Sequence, residues 1–263
     1  MSLRIITIGS GSRGNSILLE ADNFGLLIDS GFSRTELFKR LDCYSISPEI
    51  IKGILITHGH FDHINGARVV ANTLDITTYV NKPTLEYIGD YNKKLGRKIV
   101  IFNQDYQFFI HKFKIIPFRL SHDAIGTVGF IVCYKNLRIG FAMDLGYVSN
   151  RIINILKGCD VIILECNHDI DMLKNSDRPF SLKKRIIGNF GHLSNEQCMK
   201  CLYNIIVSNT KHIILGHVSR ECNNYSIVES LVTNQIQSMG CTPEINVMRQ
   251  DLLIPNQIEL ITD

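Results

Sequence analysis

The chain has 263 residues, enough for one large domain or two small ones with a sizeable core. Apolar residues make up 45% and charged residues 20%, the balance of a globular protein. No apolar run approaches the roughly 20 residues needed to cross a bilayer, which excludes a membrane-spanning chain. A formal charge of +3 and a pI of about 8.4 permit a polyanionic partner without demanding one.

The first apolar run, residues 3–8 of "MSLRIITIG", reads as a strand. It lacks the long apolar segment and small-residue cleavage site of a secretory signal, so the expected location is the cytoplasm. Gly9, Gly11 and Gly14 then spell G-x-G-x-x-G, with Asp29 further on, nearly the fingerprint of a dinucleotide-binding fold. That motif needs a helix directly after the glycines, because the pyrophosphate sits on the helix N-terminus. Here "NSILLEA", "DNFG" and "LLID" follow, which read as strand 16–20, a turn and strand 26–28. A dinucleotide site is therefore set aside, and the glycines are read as permitting unusual backbone angles.

Further along, the pattern gives helix 33–41, strands 53–57 and 76–80, helix 83–94, strands 113–117, 127–134 and 137–143, helix 149–157 and strand 161–165. Helix 194–207 opens on the capping box Ser194-x-x-Gln197, and strand 212–215 and helix 225–239 complete the series. Strand pairs come first and strands alternate with helices later, which predicts a mixed α/β layered architecture. No linker, low-complexity stretch or short repeat interrupts the chain, so one domain over 1–263 is expected. The eight cysteines are expected as free thiols, and Cys198 and Cys201, a C-x-x-C inside a helical pattern, as two helix residues.

The stretch that carries chemistry is "GILITHGHFDHINGA". His58, His60, Asp62 and His63 fall within six residues at the end of a buried strand. Gly59 argues against a helix across the cluster, and the spacing is wrong for H-E-x-x-H. His58 and His60, two apart, can point the same way, whereas Asp62 and His63 cannot easily join them on one ion. The spacing therefore suggests two neighbouring metal sites. Further donors are needed, and His122, Asp144 and His217 each follow an apolar strand. His111 and His212 lack this placement and are read as ordinary residues.

With these residues in view, the chain resembles the metallo-β-lactamase superfamily, whose motif H-x-H-x-D-H stands intact at His58 to His63. The remaining family motifs match His122, Asp144 and His217 in order. The phrases "GSGSRGNS", "LSHDAIGTVGF", "AMDLGYVS", "LECNHD", "NFGHLSN" and "LGHVSRECNN" resemble the YycJ/WalJ group within it. The resemblance implies an α/β fold, an αββα four-layer sandwich of two mixed β-sheets flanked by helices. It implies that His58, His60 and His122 bind one ion, that Asp62, His63 and His217 bind a second, and that Asp144 bridges them. Asp29 resembles a position that supports the ligand loop. Imidazole and carboxylate donors suit zinc first, with manganese or iron as alternatives.

Two neighbouring ions sharing one activated water favour hydrolysis at phosphorus by a metal-bound hydroxide. His192 lies just before a capped helix start, which favours a phosphate nearby; the resemblance to phosphodiesterases of this superfamily implies that it acts on the scissile phosphate or its leaving oxygen, with Glu165 orienting it, and His168 is expected to contact substrate. Asp62, His192 and Glu165 form the expected catalytic set, and His168 and His192 the substrate-binding set. Basic runs at Lys93, Lys94, Arg97 and Lys98 and at Lys183, Lys184 and Arg185 are usually solvated faces, although the second precedes the His192 loop. The subgroup resemblance implies an exonuclease on double-stranded DNA. A small cyclic phosphodiesterase and a non-enzymatic, metal-stabilised regulatory module are the alternatives, and a homo-oligomeric state is left open.

Overall fold

A computed structural model describes residues 2–90, 92–251 and 257–261. In chain order it holds β1 (Ser2–Gly9), β2 (Ser16–Ala21), β3 (Phe24–Ile28), α1 (Arg34–Asp42), β4 (Ile51–Leu55), α2 (Phe61–Ile64), α3 (Ala67–Leu74), β5 (Thr77–Asn81) and α4 (Lys82–Ile88). Then come α5 (Asn92–Leu95), β6 (Lys98–Phe102), β7 (Phe108–Ile110), β8 (Phe113–Arg119), β9 (Val128–Tyr134), β10 (Leu137–Ala142), α6 (Asn150–Leu156) and β11 (Val161–Glu165). The remainder is α7 (Ile170–Asn175), α8 (Phe180–Ile187), α9 (Asn195–Ile205), β12 (His212–Gly216), α10 (Tyr225–Ser238), β13 (Glu244–Val247) and β14 (Gln257–Ile261).

The strands form two seven-stranded sheets, in the orders β14-β1-β2-β3-β4-β5-β6 and β13-β12-β11-β10-β9-β8-β7. Each is mixed. Hairpin pairing joins β1, β2 and β3, and parallel pairing carries on through β4, β5 and β6. In the second sheet β7 to β10 pair antiparallel, and β10 to β13 parallel. Strand sequences show why the sheets lie inside. Leu3 and Ile5 of β1 enter the core between the sheets, whereas Ile6 and Ile8 face the layer holding α1 and α3. In β11, Val161 and Ile163 face the first core, while Ile162 and Leu164 meet α6, α9 and α10. Strands apolar on both faces belong between helices and a partner sheet. Each fully buried Ile, Leu or Phe contributes about 1.5–3 kcal/mol. The result is the expected αββα sandwich.

Most elements expected from the pattern are present with ends shifted by a residue or two. One expected helix is divided. Instead of a single helix over 83–94, α4 stops at Gly89, which adopts φ +75, and α5 begins at Asn92, with Tyr91 outside the described residues. A left-handed residue ends a helix by turning its last carbonyls away from further amides. The glycine-rich stretch is a loop between β1 and β2, with no helix after it. Ser194 forms the predicted capping box, its Oγ accepting from Gln197 N at 3.2 Å while Gln197 Oε1 accepts from Ser194 N at 2.8 Å. Cys198 and Cys201 are buried in α9, and all eight cysteines are free thiols. Among the described residues, no helix is long and apolar enough to cross a membrane.

Candidate metal centre

The strands deliver the donors. β4, β8, β10, β11 and β12 end at one edge of the sandwich, and His58 and His60, His122, Asp144, Glu165 and His217 lie at or just after those ends. The ligand loop after β4 is irregular through His60 and then makes one short helical turn, α2, which holds Asp62 and His63. Three residues at strand ends here, Asp29, Asp144 and His217, take left-handed backbone at φ +58. Non-glycine residues in that region cost about 1–3 kcal/mol each and persist where the surroundings fix them.

All seven expected donors come together. His58, His60 and His122 form one group, Asp62, His63 and His217 a second, and His58, His63 and Asp144 a third; within each group the donor atoms lie within 4.8 Å of one another. Asp144 sits between the first two. Its Oδ2 is 3.1 Å from His63 Nε2, and its Oδ1 is 3.4 Å from His217 Nε2 and 3.9 Å from His122 Nε2. His58 Nε2, His217 Nε2 and Asp144 Oδ2 are buried with no hydrogen-bond partner among the described residues. Orphaned buried polar atoms cost about 1–3 kcal/mol each unless something satisfies them. Three such atoms within a nest of imidazoles and carboxylates fit divalent cations.

The other ring nitrogens are anchored. The buried Asp29 carboxylate accepts from Thr57 N at 2.8 Å and Thr57 Oγ1 at 2.7 Å, and lies 2.7 Å from His63 Nδ1. Thr57 Oγ1 is 2.9 Å from His58 Nδ1, and Gly191 O is 3.0 Å from His122 Nδ1. With Nδ1 donating to these acceptors, Nε2 presents its lone pair to the centre, the orientation that outer partners impose on ligand histidines.

Charge in the centre is balanced by protons. Burial disfavours charge on Asp144, yet His217 and His63 hold its carboxyl well below the usual range. Burial also opposes charge on His63 and His217, but Asp144 above all, with Asp29 and Asp62 around His63 and Asp62 and Glu165 around His217, raises both imidazoles well above their ordinary value. At His58, burial and then the neighbouring His63 outweigh Asp144 and push the imidazole well below its ordinary value. Divalent cations held here would take the place of the protons on His63 and His217.

Beside the centre, His192 Nδ1 lies 2.6 Å from Glu165 Oε1, and Glu165 Oε2 accepts from Leu145 N at 3.0 Å. Burial opposes ionisation of Glu165, but His192 first and then His217 bring its carboxyl down to about 2. An ionised carboxylate only accepts, so Nδ1 of His192 donates and Nε2 is left for other work. A fourth donor group, Asp144, Glu165, His192 and His217, also meets within 4.8 Å. His168 is buried, 1% exposed, and burial lowers its pKa to about 4. His111 stacks on Phe24 at a hairpin turn and His212 begins β12, both apart from the donor groups.

Three residues of the centre were not foreseen. Asn15, from the glycine-rich loop, donates through Nδ2 to Asp62 Oδ2 at 3.1 Å, while its Oδ1 accepts from Ser10 Oγ and Gly11 N. Asn167 Nδ2 lies 2.9 Å from His217 Nδ1. Asp123 sits 3.3 Å from His60 Nε2 and 2.5 Å from Arg185 Nε. The available signal for Asn15 was the glycine-rich loop itself, which lacked the helix of its usual role.

Close approach fixes the ligand loop. A methyl at Gly31 stands 1.7 Å from Asp62 O and 2.6 Å from Asn15 N. Gly31→Ala is expected to lower stability by about 1–3 kcal/mol or more, as overpacking does, and to displace Asp62. Urea denaturation with an unchanged midpoint contradicts this.

A family model described as a beta-lactamase superfamily domain matches residues 25–217. Exodeoxyribonuclease YycJ of Bacillus anthracis is 32% identical over 246 residues, 91% of each chain. The chain belongs to the metallo-β-lactamase superfamily. Within the superfamily, Exodeoxyribonuclease WalJ of Streptococcus pneumoniae serotype 2 is 34% identical over 235 residues, 87% of this chain and 86% of that one. The crystal structure of the metallo-β-lactamase fold protein YhfI from Bacillus subtilis, 15% identical, superposes with a TM-score of 0.73 over 98% of this chain and 100% of that one, a likeness of fold.

Proposed function

We propose that this chain, acting as one hydrolase domain, is a metal-dependent exonuclease on double-stranded DNA. The observation that carries the reading is the pairing of two donor triads about the Asp144 carboxylate with the His192–Glu165 pair at their side. The exodeoxyribonuclease relatives supply the substrate class. His58, His60 and His122 would hold one divalent ion and Asp62, His63 and His217 another, with the Asp144 carboxylate lying between the two triads. Zinc is the first choice for an imidazole-rich set, with manganese or iron as alternatives. When bound, the ions supply positive charge at the scissile phosphate and make water acidic enough to act near neutral pH.

The chain's own groups do the rest. Asn15 fixes the Asp62 carboxylate, and Asp29 fixes His63. Glu165 accepts from Nδ1 and so holds the His192 ring with Nε2 toward the leaving oxygen; donation from there uses the imidazolium, with a proton on each nitrogen. As the water oxygen bonds to phosphorus, the P–O bond to the leaving oxygen breaks. That oxygen takes the Nε2 proton of the imidazolium, the proton shed by the water passes to solvent, and solvent returns a proton to His192 before the next turnover. A closed structural site of four protein ligands, often cysteines, has a different composition from these seven histidine and aspartate donors.

Removing metal tests the reading. Chelation is expected to stop digestion of end-labelled duplex DNA, and zinc or manganese to restore it, except in the Asp62→Ala, His63→Ala double variant. Reloading to 1,000-fold above Kd is expected to stabilise the fold by about 4 kcal/mol. Undiminished digestion after complete chelation defeats the proposal. Turnover of a small cyclic phosphodiester alone favours that activity instead.

A further inference from the structure

β6 is composed like an interior strand but stands at the rim of its sheet. Its sequence, KIVIF, is apolar on both faces: Ile99 packs toward the layer holding α1 and α3, and Phe102 toward the core between the sheets. Ile101 shares the face of Ile99, and Val100 that of Phe102. Strands apolar on both faces belong in the middle of parallel sheets. Yet among the described residues β6 pairs with β5 alone, and it leaves Val100 46% and Ile101 55% exposed. The outer row of N–H and C=O groups on such an edge is a template for another strand. The edges at β14 and β7 differ. β14 alternates, with Ile258 and Leu260 buried and Gln257 and Glu259 exposed, and β7 is only three residues long.

Whatever bond the metal centre cleaves, we propose that β6 is the seat of a two-fold homodimer. The β6 strands of two copies pair antiparallel about Val100 and join the two first sheets into one. Ile99 then faces Ile101 of the second copy, Lys98 faces Phe102, and Val100 faces its own counterpart, the self-complementary contact that two-fold symmetry requires. Each copy spends its one such edge on the other, so the assembly closes at two.

Charge favours a second copy over a strongly charged partner. Arg97 and Lys98 stand at the start of β6, and Asp105 just beyond its end. Lys98 pairs with Asp75 at 2.7 Å and Asp105 with Arg119 at 2.8 Å, so the edge carries no large charge of one sign. Antiparallel pairing brings the basic start of one strand toward the acidic end of the other, whereas a parallel copy sets Lys98 on Lys98. The neighbouring edge enlarges the contact. Phe102 stacks on Phe108 of β7 at 4.8 Å, and Tyr106 is exposed in the turn between them. A five-residue strand with these flanks lies toward the lower end of the roughly 1,200–2,000 Å² that stable interfaces bury, so association is expected at micromolar concentration. β4, β5 and β6 run parallel, so the antiparallel junction points the two metal centres to opposite ends of the joined sheet.

Sedimentation equilibrium of the full chain, from low to high micromolar concentration, reads the assembly, and a monomer–dimer equilibrium is expected. Val100→Lys sets like charges opposite each other and is expected to weaken association at least about tenfold, as is Val100→Glu. An equimolar mixture of the two variants is expected to dimerise again, because a lysine then faces a glutamate. Tyr203→Lys, at an exposed position of α9, is expected to leave the equilibrium unchanged. Hydrogen exchange on the unmodified chain needs no variant to fold. Amides of β6 are expected to gain protection as concentration rises, while those of β14 keep theirs. A monomer throughout overturns the dimer and leaves the edge to a strand of another protein. A dimer untouched by both Val100 substitutions overturns it as well, as does a mixture that stays monomeric or exchange at β6 that ignores concentration.

Discussion

Asp144→Asn reduces kcat/KM on duplex DNA by at least about 10³-fold, a loss of about 4 kcal/mol of transition-state stabilisation, and takes metal content from two ions per chain toward one. The substitution preserves size and removes charge. Asp144 is buried and lies within 4 Å of His63, His122, His192 and His217. Neutralising it withdraws the largest influence that keeps His63 and His217 charged when metal is absent, and the shared anionic donor when metal is present. Breaking a buried charge arrangement by removing one partner typically costs about 3–5 kcal/mol. Elemental analysis alongside single-turnover digestion reads both effects. A variant that keeps two ions and digests DNA within tenfold of the parent refutes Asp144 as the shared donor.

His192→Ala is expected to discriminate between leaving groups. Loss of a positioned general acid costs about 10²–10⁴-fold when the departing oxygen is a poor leaving group. A deoxyribose alkoxide needs the proton, whereas p-nitrophenolate leaves without one. The variant should therefore lose DNA digestion by that factor and keep most of its hydrolysis of bis(p-nitrophenyl) phosphate. Glu165→Gln, which breaks the 2.6 Å contact to Nδ1 without emptying the site, should show the same asymmetry in weaker form. Equal losses on both esters would falsify proton donation and make His192 a metal ligand, the role that its grouping with Asp144, Glu165 and His217 also allows.

The donors were legible because their signal is local. Four of them stand in six residues after an apolar strand, and the others each terminate a strand of their own. Architecture was legible where strands are buried on both faces, as in β1 and β11. Edge strands escaped notice: β6, β7, β13 and β14 are short, and β6 and β14 carry exposed residues such as Val100, Ile101 and Ile261. The short helices α3, α7 and α8 were missed as well, since six to eight residues give few turns for a pattern to repeat. Asn15, Asn167 and Asp123 could not be read from spacing, because each acts on a residue distant in sequence. The burial of His168 could not be read either, because proximity along the chain to Glu165 says nothing about which side of a wall a side chain occupies.

The donors are shared between the two halves of the sandwich. His58, His60, Asp62 and His63 hang from the first sheet, and His122, Asp144 and His217 from the second. A chain that has assembled only its first half owns the best-known part of the motif and none of the shared carboxylate. A complete donor set therefore requires both sheets to be in place. The proposed nuclease has no shared carboxylate until both layers are in place.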